Sequence, residues 1–215
     1  MRIRAMRFLI FSLLYVLTAC GQSNNKINQI DPRAKRLKDS ASLIAMSQQE
    51  YSKAISLLDQ AIALDSNYLA AYRNKLTFQL ELRQFEQATK TASKISQLRP
   101  DNPDYYVTIG ILYDVQGDTV KSKDYFKRAI SQYDRIFDTI AVSNINYDML
   151  LMNKALNLIF IGEQNKGNDI LKQLYNKQIE SPFKEILASY LNKSKQDILK
   201  MMMSPNTGKV EANAN

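Results

Sequence analysis

EYSKAISLLDQAIALDSN from Glu50, QFEQATKTASKISQLRPDN from Gln84 and DTVKSKDYFKRAISQYD from Asp118 are three versions of one pattern. Tyr51, Phe85 and Thr119 lie 34 residues apart, and the same interval separates Ala54, Ala88 and Ser122. It recurs for Leu58, Ala92 and Phe126, and again for Ala61, Ile95 and Ala129. Upstream of these stretches, Tyr72 and Tyr106 keep the spacing too. Within each stretch the apolar and small residues recur every three or four positions, the period of a helix with one buried face. Such a helix cannot bury that face alone. Self-similarity at a fixed period therefore implies stacked units that cover one another. No segment alternates apolar and polar residues between hairpin turns, so the expected class is all-α.

The unit from Pro103 is the fullest: Tyr106, Ile109-Gly110, Tyr113, Gly117-Asp118, Ser122, Phe126 and Ala129. In this pattern the chain resembles the tetratricopeptide repeat, a helix–turn–helix unit of that length. The resemblance implies a right-handed α-solenoid of helical hairpins, with small residues such as Gly110, Ala54, Ala88 and Ser122 where helices approach. Aromatics such as Tyr106, Tyr113 and Phe126 fill the space opposite, each burying ~150–250 Å². The unit from Leu69 supplies Tyr72, Phe85, Ala88, Leu98 and Pro100, but Lys75-Leu76 stands where a Leu-Gly pair is expected. The first unit is strong only in its second helix, through Tyr51, Ala54, Leu58, Ala61 and Leu64.

Three clear repeats are thus expected at 35–68, 69–102 and 103–140, the third with an extended second helix carrying Ile130, Tyr133, Phe137 and Ile140. After Ile136 the register slips by 11 residues, and Asn144-Ile145-Asn146 reads as a turn. A degenerate fourth hairpin at 148–181 carries Leu151, Ala155, Leu158, Gly162-Glu163, Gly167, Leu171 and Leu174. Pro182 opens what reads as one capping helix over 182–203, since a missing N–H is harmless in a first turn. Residues 204–215 are polar and read as a disordered tail.

Ahead of the repeats, Arg2, Arg4 and Arg7 precede an uncharged apolar run, FLIFSLLYVLTA, from Phe8 to Ala19. A basic start and a short apolar core have the layout of a secretory signal, too short to span a bilayer, which takes about 20 residues. Leu17-Thr18-Ala19-Cys20 resembles the bacterial lipobox. That resemblance implies removal of residues 1–19, acylation of Cys20, and attachment to a membrane through its acyl chains. With Gly21 rather than Asp after the cysteine, it also implies the outer membrane over the inner. Residues 20–34 then read as a flexible tether.

Without those three arginines, 26 of the 29 basic residues face 21 acidic ones, a net +5 spread along the chain without a block. A solvated helical surface accounts for this, and no nucleic-acid partner is expected. The chain has no histidine, and its one cysteine is Cys20. It therefore lacks the usual base near neutral pH and any Cys/His metal site. No phosphate-cradling glycine loop occurs either. Neither catalysis nor a metal or other cofactor is expected.

In the repeat family the first helix of each unit lines a concave groove where partners lie. Projected onto that face, the first unit offers Arg36, Asp39, Leu43 and Met46, and the second Ala70, Arg73, Asn74, Thr77 and Leu80. The third offers Asp104, Val107, Ile111 and Asp114. Met149, Met152, Leu156 and Ile159 of the fourth are expected beneath the helix from Pro182 rather than open. One subfamily grips a C-terminal carboxylate with Lys, Asn and Arg residues on this face, and Asn74 alone matches it. The functional expectation is a lipid-anchored protein-interaction module, an adaptor or assembly factor at the periplasmic face of the outer membrane. The competing reading is a homo-oligomeric envelope lipoprotein that self-assembles through the apolar groove.

Overall fold

A computed structural model describes residues 30–203. The expected signal segment 1–19, Cys20, the rest of the expected tether up to residue 29 and the expected tail 204–215 lie outside them. The described residues form ten α-helices and no strand. They divide into two compact units, residues 30–135 and 136–203.

In the first unit three helical hairpins follow one another. They are α1 (Pro32–Gln48) with α2 (Tyr51–Leu64), α3 (Leu69–Glu81) with α4 (Phe85–Leu98), and α5 (Pro103–Val115) with α6 (Thr119–Phe137). Consecutive helices from α1 to α5 pack together, α1 also touches α3, and α5 meets α6 at Gly110 and Phe126. The helix starts have local causes. Asp31 accepts a hydrogen bond from the Arg33 N–H at 2.8 Å, and Pro32 occupies the first turn, where its fixed φ suits a helix. Asn102 and Pro103 repeat the device at α5, where the Asn102 side chain accepts from the Asp104 N–H at 2.9 Å. The first hairpin therefore begins three residues earlier than its period implies. Ala34, expected in the tether, is fully buried in α1.

The turns inside the hairpins share one backbone device. Gln49, Arg83 and Gly117, spaced by 34 residues, all have positive φ (56°, 55° and 82°) and close the turn after the first helix of each pair. Around them the repeat packs as its sequence implies. Ala54, Leu58, Ala61, Tyr68, Ala71 and Phe78 form a buried cluster with Ala34, Ala41 and Ala45. Phe126 is fully buried opposite Gly110, where a Cβ would lie 2.7 Å from its ring. The helix α6 has 19 residues against 14 in α2 and α4, and its extension carries the fully buried Tyr133.

In the second unit α7 (Tyr147–Ile161) pairs with α8 (Gln164–Lys177) around a Gly162 turn with φ 103°. At Gly167 a Cβ would meet the Ala155 carbonyl oxygen at 2.6 Å, so the two backbones approach as closely as a glycine permits. The expected capping helix is in fact two, α9 (Pro182–Tyr190), packed on α8, and α10 (Lys195–Met203). The break falls at Asn192, whose φ of 58° ends one helix. Ser194 and Asp197 then start the next by a reciprocal cap. The Asp197 N–H donates to the Ser194 Oγ at 3.2 Å, and the Ser194 N–H donates to the Asp197 Oδ2 at 3.2 Å. Among the described residues no helix is long and apolar enough to cross a membrane.

Candidate protein-interaction surface

The first helices of the three hairpins, α1, α3 and α5, carry the residues the sequence assigns to a partner. A side-chain bond ties the first two together: Asn74 Nδ2 donates to the Ser42 Oγ at 2.9 Å. Thus the one residue matching a carboxylate clamp already serves as a strut between helices. Arg73 and Thr77 stand half-buried beside it, and the Thr77 hydroxyl donates back to the Arg73 carbonyl at 3.1 Å. Leu80 and Ile111 are likewise half-buried. Asp114 is also half-buried and accepts from the Ser122 hydroxyl at 3.2 Å.

Two placements depart from the expectation. Val107 is only 3% exposed, so it belongs to the packing of α5 and not to an open face. A single helical period predicts which side an apolar residue takes, but not how far a neighbouring element covers that side. In the opposite sense, Asp39, Leu43 and Met46 on α1 are more exposed than their counterparts one and two periods on, while Arg36 is exposed like its counterpart Ala70. Leu43 is 68% and Met46 66% exposed, whereas Thr77, Leu80, Ile111 and Asp114 are half-buried. In the second unit Met152, Leu156 and Ile159 are buried and Met149 is half-buried, so α7 holds them as packing residues.

The unusual electrostatics of this face sit at Asp104, near the start of α5. Burial pushes its carboxyl up to about 6, while a hydrogen bond from the Tyr133 hydroxyl, 3.1 Å from Oδ1, pulls the other way. The sequence places Asp104 on the face but gives no sign of this state. Its partner lies 29 residues on, in the extension of α6. Among the described residues no cluster of three His, Cys, Asp or Glu side chains is arranged to hold a metal ion.

Residues 45–108, which run from the end of α1 into α5, match the family model for the tetratricopeptide repeat. Over those residues the chain carries the tetratricopeptide repeat. The stacked hairpins form its α-solenoid, and a fold of this kind is a protein-interaction module. A TPR repeat-containing protein of Methanocaldococcus jannaschii is 28% identical over 127 residues, covering 59% of this chain. The chain spans only 22% of that relative's length. Among solved structures, MamA from Desulfovibrio magneticus RS-1 is similar at 13% identity, with 66% of this chain and 74% of that one covered and a TM-score of 0.48. YrrB, described as a TPR protein with an unusual peptide-binding site, is similar at 16% identity over 81% of this chain and 88% of its own, with a TM-score of 0.48.

Proposed function

We propose that this protein is a lipid-anchored adaptor or assembly factor at the periplasmic face of a bacterial outer membrane, holding a protein partner against α3 and α5. The observation that carries the partner surface is the half-buried row Arg73, Thr77, Leu80 and Ile111. It offers apolar contact and hydrogen-bonding groups on helices whose positions are fixed by buried packing on their other sides. Rigid support of this kind limits the ordering that binding must impose. The face has no histidine to act as a base, and its acids are each bonded within the fold: Asp104 to Tyr133, and Asp114 to Ser122. That chemistry suits recognition and not catalysis.

Anchoring is the second half of the proposal, supported by the uncharged run Phe8–Ala19 ending at the sole cysteine, Cys20. Several acyl chains hold a protein on a membrane where one is marginal, since each buried methylene contributes ~0.8 kcal/mol. Replacing Cys20 with Ala is expected to release the protein or leave it unprocessed. Membrane retention after carbonate washing that matched the wild type would remove the anchor from the account.

A photo-crosslinking amino acid at Thr77 tests the partner surface in intact cells, with Lys90 on the exposed side of α4 as control. Adducts of defined mass are expected from position 77 and not from 90. An adduct of twice the protein's own mass would favour self-assembly, and equal labelling from both positions would reject the surface.

A further inference from the structure

We infer that the outer stripe of α1 rests on an anionic lipid surface, the membrane to which the chain is tethered. This rests on the proposed attachment at Cys20 and assigns a task to the part of the first repeat that differs most from the others.

At ~100° per residue, Pro32, Lys35, Arg36, Asp39, Leu43 and Met46 fall within about 100° of the helix circumference. All six are exposed. In the later repeats the positions of Leu43 and Met46 are half-buried, as Thr77 with Leu80 and as Ile111 with Asp114. In α1 they are two large apolar side chains left two-thirds open to solvent. Ile30, just ahead of the helix, is exposed as well.

The stripe is net cationic, with Lys35 and Arg36 against one acid, Asp39. Asp39 is paired with Lys38 and also feels the charge of Lys35, four residues before it. No acidic residue occupies the first turn. An excess of exposed cations beside flexible apolar side chains makes up the composition of a helix lying at a head-group boundary.

Reach supports the same occupant. Eleven residues separate Cys20 from Pro32 and span at most ~40 Å when extended. The helix itself is about 25 Å long, so the whole stripe lies within range of the membrane holding Cys20. Tethering raises the effective concentration of lipid at the stripe, so a contact too weak to recruit a free protein is enough to orient an attached one.

The chain contains no tryptophan and a single thiol, and both facts serve the test. The chain from Cys20 onward, the form that the proposed processing leaves, is coupled through that thiol to maleimide-bearing lipid. The vesicles are either phosphatidylethanolamine with phosphatidylglycerol or phosphatidylcholine alone, and circular dichroism checks that each variant is folded. A Met46→Trp reporter is compared with Val120→Trp, a residue 80% exposed at the start of α6. On the anionic vesicles the indole at 46 is expected to shift to the blue and to be quenched by brominated lipid, while that at 120 remains unchanged. Adding Lys35→Glu with Arg36→Glu is expected to abolish the response at 46. Identical emission from both reporters, or a response at 46 that survives the two charge reversals, overturns the inference. Chemical coupling makes the result independent of natural acylation, which is read separately from the mass of the mature N-terminus. An unacylated mature N-terminus therefore rejects the anchor itself, whereas an inert indole at position 46 on an acylated protein rejects only the membrane-facing stripe.

Discussion

At the scale of single residues, the repeat is held by contacts that leave no room for one more carbon. A Cβ at Gly110 would lie 2.7 and 2.8 Å from two ring carbons of Phe126, which is itself fully buried. Gly110→Ala should therefore destabilise the protein by ~1–3 kcal/mol through overpacking, even though alanine gains about 1 kcal/mol in helix propensity over glycine. Urea denaturation gives the value, and shortening Phe126 to Leu in the same molecule should recover part of the loss. Asp104 makes an opposite prediction. Its folded carboxyl titrates near 6, above the ordinary 3.8, so the fold favours the protonated form and ionisation opposes folding. The contribution is fully favourable below about 3.8 and is lost as pH rises through about 6. Asp104→Asn should raise the melting temperature at pH 7 by an amount on the order of 1–2 kcal/mol in stability. The gain should shrink as the pH falls towards 4, where the wild type is protonated too. An equal gain at both pH values would show that the charge of Asp104 is not the cause.

At the scale of elements, the hairpin turns explain both what the sequence reveals and what it hides. The positions 49, 83 and 117 share a left-handed backbone, yet only the third is glycine. Composition alone thus marks one turn of the three, and the common geometry shows only in the fold. A β-carbon in that region raises the energy by roughly 1 kcal/mol. Gln49→Gly should accordingly stabilise the first hairpin by ~0.5–1 kcal/mol, and Gly162→Ala should destabilise the α7–α8 pair by a similar amount. Nothing lies within 4 Å of a Cβ at Gly162, so the second effect is one of backbone alone. Thermal unfolding of the two variants, shifting in opposite directions, checks the pair. The hairpins themselves were legible because small and large residues at fixed spacing must interlock for the units to stack. The start of α1 and the break before α10 were also written locally, as Asp31-Pro32 and as Ser194 with Asp197. Apolar residues at helical spacing on both sides of the break, such as Leu191 and Ile198, hide the second of these signals. The state of the face was not legible. The burial of Val107, the exposure of Leu43 and Met46, and the bond from Tyr133 to Asp104 all depend on which neighbour covers each helix.

At the scale of the molecule, a stack of hairpins draws its stability from each unit and its nearest neighbours, and the ends are the weakest places. The first unit shows this in its side chains. The fully buried positions of α1 are Ala34, Ala41 and Ala45, which remove little apolar surface from water, with Leu37 and Ile44 only half-buried. Two repeats later α5 buries Tyr105, Val107, Ile109 and Leu112. At roughly 25 cal/mol per Å² of apolar surface, that difference amounts to several kcal/mol of attachment per helix. α1 should therefore open locally without unfolding the repeats behind it. Native-state hydrogen exchange in solution is expected to show amides of α1 exchanging ~10–100-fold faster than those of α5. Leu58→Ala, in the cluster that α1 shares, should quicken exchange in α1 and α2 before it affects α5. Uniform protection across the three hairpins would mean that the unit unfolds only as a whole, and that alanine packing holds its first helix as firmly as the aromatics hold its third repeat.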